Sequence, residues 1–69
     1  MKTIDLNKGD YFRIENDETV YELVGDKTQI SVKCVNLDTD MYVHLFLNVL
    51  VSEVLSEQEK EEINEFYGI

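Results

Sequence analysis

His44 is the one histidine of the chain and Cys34 its one cysteine, so proton-transfer or nucleophilic chemistry near neutral pH would fall to one of them. His44 stands between Tyr42 and Phe46 at two-residue spacing, a titratable ring flanked by aromatics. A general base needs a nucleophile to deprotonate and a third group to orient it. Nothing near His44 in the sequence fills either role. Cys34 lies in an apolar alternation with no neighbour that would lower its thiol pKa, and it reads as a small core residue. Asn36, Asp38 and Asp40 repeat at the spacing that opens an oxygen-rich calcium loop. The glycine place of that loop holds Met41 and its twelfth place Leu47, so the segment reads as a polar reversal. The expectation is a chain with no catalytic residue, no metal ligands and no cofactor.

Two groups of residues are better suited to contact than to catalysis. Tyr42, His44 and Phe46 share one face of a strand-like alternation whose other face holds Met41, Val43, Leu45 and Leu47. If the apolar face is core, the aromatics lie outside it, where such rings anchor interfaces. Two arrangements stay open: a helix stripe of Ile63, Phe66 and Tyr67 covers them within the chain, or they are left for a partner or a second copy. The second group is acidic. Glu53, Glu57, Glu59, Glu61, Glu62 and Glu65 face Lys60 alone. Glu57 and Glu61, and Glu61 and Glu65, are like-charge pairs that weaken a free helix. Such a surface suits a basic partner, or serves only to keep the chain soluble.

The elements that would position these groups are legible from periodicity. Gly9-Asp10 is a turn signal, followed by alternation over residues 11–15 with Phe12 and Ile14 on the apolar face. Asn16-Asp17-Glu18 is a polar reversal. Residues 19–24 form a second strand with Tyr21 and Leu23 facing the core, and Gly25-Asp26-Lys27-Thr28 reads as the next hairpin turn. In residues 29–35, Ile30, Val32 and Cys34 alternate with Ser31, Lys33 and Val35. Residues 36–40 reverse the chain, and strands are expected over 41–47 and 49–54. The period then changes. Ser56 and Glu59 form a capping box, Ile63, Phe66 and Tyr67 recur at helical spacing, and Gly68 stands where a helix-ending glycine belongs.

Five short antiparallel strands cannot hide two apolar faces while flat. Curling into a partly closed barrel of the SH3-like or OB-like class removes exposed edge. The fold expected is mainly β: a small five-stranded antiparallel barrel over residues 6–54 and one C-terminal α-helix over 56–67, in a single domain of residues 1–69. The short reversals predict a meander, and the helix is expected to cap an open end.

Charge narrows the choice of partner. Fifteen acids against six bases give −9 over 69 residues, a field that disfavours nucleic-acid phosphates and anionic lipid. No segment reads as a signal peptide or a membrane span. A lone cysteine fits a reducing compartment, and the cytoplasm is expected.

Leu6-Asn7-Lys8-Gly9-Asp10-Tyr11-Phe12, Val20-Tyr21-Glu22-Leu23-Val24 and Val35-Asn36-Leu37-Asp38-Thr39 together resemble a loose group of small SH3-like barrel proteins, many of them encoded by bacteriophages and prophages. The resemblance spans residues 6–54 and leaves out the acidic helix. It implies an accessory protein in a bacterial host cell and carries over no catalytic residue. The function expected is a non-enzymatic protein-binding module acting on a host protein through an acidic surface. The candidate contact residues are Tyr42, His44, Phe46, Glu57, Glu61, Glu62 and Glu65. The alternatives are a structural subunit that self-associates as a dimer or ring, and a nucleic-acid-binding barrel, which the charge disfavours.

Overall fold

The computed structural model describes residues 1–68. Strands β1 (Tyr11–Ile14), β2 (Tyr21–Lys27), β3 (Ser31–Asn36), β4 (Met41–Phe46) and β5 (Val51–Val54) form one antiparallel sheet, preceded by a 3-10 turn (Thr3–Asp5) and followed by helix α1 (Glu57–Tyr67). The strand order is β4-β3-β2-β1-β5. The meander therefore holds for four strands, but β5 lies beside β1 rather than β4. Cross-strand contacts hold it there: Arg13 pairs with Glu53, and the Ser52 hydroxyl donates to the Arg13 carbonyl at 3.2 Å.

This order forces the sheet to curl. In a flat sheet β4 and β5 would lie four strand spacings apart, about 19 Å. The connector of residues 47–50 could span that gap only at nearly full extension. Instead it folds back, with the Val49 amide donating to the Phe46 carbonyl at 3.2 Å. The N-terminal residues stitch this connector down. The Thr3 amide donates to Val49, Ile4 to Leu47, and Val51 to Met1, all at 2.8–3.0 Å. Thr3, fully buried, adds a hydroxyl bond to the Phe46 carbonyl. Among the described residues no ladder joins β4 to β5. What the structure shows is a curled open sheet and not a closed barrel.

Each face of the sheet has its own core. The concave side buries Leu6, Phe12, Tyr21, Leu23, Val32, Cys34 and Val51, with Ile14, Val43, Leu45 and Leu47 packed around them. Alternation along each strand places these residues together. The convex side buries Tyr11, Val20, Val35, Leu37 and Leu55 beneath Ile63 and Tyr67 of α1. The helix thus lies on the outer face of the sheet, and Phe66, expected in its buried stripe, is 80% exposed.

The turns follow side-chain chemistry with one displacement. Gly9 takes a φ of 95°, and the Asp10 carboxylate accepts from the Asn7 amide at 2.8 Å. Asn36 accepts from the amides of Asp38 and Thr39 through its side-chain carbonyl. The second hairpin does not turn at Gly25. Strand β2 continues to Lys27 through an irregularity between Leu23 and Lys27, and the chain reverses after Thr28. The Thr28 hydroxyl accepts from the Ile30 and Ser31 amides there, which completes a side-chain-closed turn. Gly25 serves close approach instead: a Cβ at that position would stand 2.7 Å from the Lys33 Cβ.

Helix α1 starts on the expected capping box. The Ser56 hydroxyl accepts from the Glu59 amide, and the Glu59 carboxylate accepts from the Ser56 amide at 3.0 Å. These bonds hold the Glu59 carboxyl below its ordinary range. Gly68 ends the helix with a φ of 73°. Polar contacts fix its seat on the sheet. The Tyr11 hydroxyl donates to Asn64 at 2.5 Å, and the Tyr67 hydroxyl donates to Asp38 in the β3–β4 turn.

The phenols that hold α1 titrate upward. Donation to the Asp38 carboxylate raises Tyr67, and burial followed by the Glu22 charge raises Tyr11. A raised folded-state pKa stabilises the fold below the ordinary phenol range, and that stabilisation is lost as pH rises through the raised value. Thermal melts between about pH 8 and about pH 11 are expected to fall in midpoint, and less steeply for Tyr67→Phe. Equal slopes for the two proteins would remove the Tyr67–Asp38 contact from this account.

Candidate functional site

Among the described residues, strand β4 is an edge strand paired on one side only. Its register against β3 is regular, with Ser31 opposite Phe46, Lys33 opposite His44 and Val35 opposite Tyr42. The phase of the hydrogen bonds follows from the Leu47 amide, which donates to the Ile30 carbonyl at 3.0 Å. Antiparallel pairs alternate between bonded and non-bonded, so Val43 and Leu45 bond to β3. The backbone groups of Tyr42, His44 and Phe46 point out of the open edge. Phe46 has its carbonyl engaged by Thr3 and Val49.

The same three residues carry the exposed side chains. Tyr42 is 65% exposed, Phe46 63%, and His44 is exposed between them. Of the two arrangements open from the sequence, covering by the helix does not occur. Ile63 and Tyr67 pack over Tyr11, Val20, Val35 and Leu37, and α1 stops short of β4. The Tyr67–Asp38 and Tyr11–Asn64 bonds set that limit.

Lys33 joins this face, and Ile30 lies exposed at its border. Lys33, from β3, places its ammonium 4.3 Å from the centroid of the Tyr42 ring, a cation–π contact. Ile30, expected in the core, sits in the displaced turn and is 67% exposed. It lines a shallow cleft with Gln29, Phe46, Leu47 and Asn48. The shift of the turn past Gly25 is what exposes it, and periodicity alone carries no sign of that shift. Met41, placed with the apolar face by alternation, is likewise exposed at the mouth of the β3–β4 turn.

The acidic residues lie elsewhere. Glu57, Glu61, Glu62 and Glu65 are all exposed on α1, and the only ion pair among them within the described residues joins Glu57 to Lys60 at 3.7 Å. They share the helix with exposed Phe66.

Chemistry elsewhere is sparse. Cys34 is fully buried, and burial pushes its thiol up to about 11, the opposite of nucleophile activation. Asp38 and Asn36 of the calcium-like spacing are engaged by Tyr67 and by turn amides. Among the described residues no group of three or more His, Cys, Asp or Glu side chains converges on a possible metal position. An open polar cleft is lined by Arg13, Asn16, Asp17, Glu18, Ser52 and Glu53, but its one cation is held by Glu53 and by the Glu18 carbonyl. No helix among the described residues is long and apolar enough to cross a membrane. Set beside known proteins, the chain matches no family model, no curated sequence and no solved structure.

Proposed function

We propose that the chain is a non-enzymatic protein-binding module that takes up a partner's strand along the open edge of β4. The observation that carries this reading is the coincidence on Tyr42, His44 and Phe46 of outward-facing backbone groups and exposed side chains. Strand addition uses both: main-chain hydrogen bonds supply affinity, and alternate side chains supply selectivity. The edge also lacks the usual protections. It carries no proline and no Lys or Glu, and its ladder with β3 has no bulge.

We read the curled sheet as a partly open barrel of the SH3-like or OB-like kind, consistent with the resemblance to phage and prophage proteins. An accessory role in the cytoplasm of a bacterial host follows from that resemblance. The glutamates of α1 extend the module's negative field and favour partners with a basic surface. Nucleic acid fits poorly. Of the six basic side chains, Lys8, Arg13 and Lys60 are paired with carboxylates and Lys27 bonds to the Ile4 carbonyl.

Affinity capture from a bacterial lysate tests the proposal. Immobilised wild-type protein is expected to retain specific proteins that Tyr42→Asp/Phe46→Asp does not. A Glu57→Lys/Glu61→Lys/Glu65→Lys variant is expected to retain less of any basic partner. Identical retention by wild type and the Tyr42/Phe46 variant would remove β4 from the reading.

A further inference from the structure

We infer that the strand which pairs with β4 is the β4 of a second copy, antiparallel across a two-fold axis. This inference rests on the reading of the β4 edge as a docking surface and names its occupant.

Local charge selects that occupant. The chain carries −9, which disfavours an acidic strand at the edge; a second copy carries the same net charge, so the strand it brings to the edge must itself be uncharged. The edge itself has no carboxylate on the strand, and Lys33 of β3 stands directly opposite His44. A basic strand would therefore meet cationic or neutral groups where it docks. The fitting strand is uncharged and alternates aromatic residues on its outer face. Met41–Phe46 is such a strand.

The spacing is also self-complementary. Only Tyr42, His44 and Phe46 offer free backbone groups, so allowed antiparallel registers pair these residues with one another and never with Val43 or Leu45. With His44 on the axis, Tyr42 of one copy stands opposite Phe46 of the other, twice by symmetry. Aromatic cross-strand pairs are among the favourable ones in sheets. The two His44 residues exchange their amide and carbonyl bonds. Each Phe46 amide reaches the Tyr42 carbonyl opposite, giving about four interchain backbone bonds in all. The Phe46 carbonyl is not needed and keeps its bonds to Thr3 and Val49. The result is a continuous sheet through both copies, with each acidic helix on the convex face away from the β4 edge.

Sedimentation equilibrium of the full chain from about 10 µM to about 1 mM tests this. A reversible dimer is expected, strengthened by added salt as the two like-charged copies are screened. His44→Pro removes one outward amide and leaves the bonds to β3 in place, since proline is tolerated on an edge strand when its missing N–H faces solvent. It is expected to weaken the dimer at least about tenfold while keeping the wild-type circular dichroism. Tyr42→Lys keeps every backbone group, places a charge on the pairing face and is expected to act in the same direction. A wild-type protein that stays monomeric throughout overturns the inference, as does a dimer that both variants leave intact. A monomer that still loses lysate capture on Tyr42→Asp/Phe46→Asp overturns the second copy alone and leaves strand addition standing.

Discussion

Phe12→Ala is expected to leave the chain largely unfolded at room temperature. Phe12 is 0% exposed, sits at the centre of the concave core and stacks on Tyr21 with ring centroids 5.9 Å apart. It also lies between two ladders, opposite Tyr21 of β2 and Val54 of β5. Truncating a buried phenylalanine costs about 3–5 kcal/mol, from lost transfer free energy and the cavity left behind. A chain of this size has a margin of roughly 3–5 kcal/mol from its core. Little relaxation is available, because a short curled sheet closes on few side chains. Far-ultraviolet circular dichroism and urea titration read the result. Phe66→Ala is the control: at 80% exposure it is expected to change stability by less than about 0.5 kcal/mol. A cooperative transition for Phe12→Ala within about 1 kcal/mol of wild type would show that the concave core is not organised around this ring.

The double substitution Ile63→Ala/Tyr67→Ala is expected to melt helix α1 and spare the sheet. An isolated helix shorter than about 12–15 residues is marginal in water, and α1 has 11. Its Glu57/Glu61 and Glu61/Glu65 spacings are mutually repulsive. Its capping box and C-terminal glycine help, but docking supplies the remainder: Ile63 and Tyr67 cover Tyr11, Val35 and Leu37, and Tyr67 bonds to Asp38. Removing both side chains is expected to cost about 2–4 kcal/mol. The helical signal at 222 nm should fall while backbone amides of β1, β2 and β3 keep their protection from hydrogen exchange. An unchanged helical signal with an unchanged melting temperature would mean that α1 holds itself.

How far the chain could be read in advance divides along contact distance. The Ser56–Glu59 cap, the Gly68 stop, the positive φ of Gly9 and the Asp10 turn all formed as read, because each rests on residues within three or four positions of one another. Phe12 and Ile14, Tyr21 and Leu23, and Val32 and Cys34 face the concave core because alternation is a property of the strand itself. The errors are non-local. Gly25 looks like a turn residue, yet it is used where β2 passes close to Lys33. The turn moved on to Thr28 and carried Ile30 into solvent. Strand β5 left β4 for β1, where Glu53 meets Arg13 across 40 positions of sequence. Phe66 has the spacing of a buried residue and lies on the flank of its helix, away from the sheet.

The candidate site shows the same division most clearly. Residue types and spacing already placed Tyr42, His44 and Phe46 on one face of one strand, kept carboxylates off that strand and concentrated them on the helix. Whether that face is covered was decided only by where α1 lands. Its landing depends on Tyr67 meeting Asp38 and Tyr11 meeting Asn64, contacts between residues 29 and 53 positions apart. No local rule relates such residues. They are brought together only by the curl of the sheet, which follows from the return of β5 to β1 through a connector that folds back on itself instead of extending across a flat sheet.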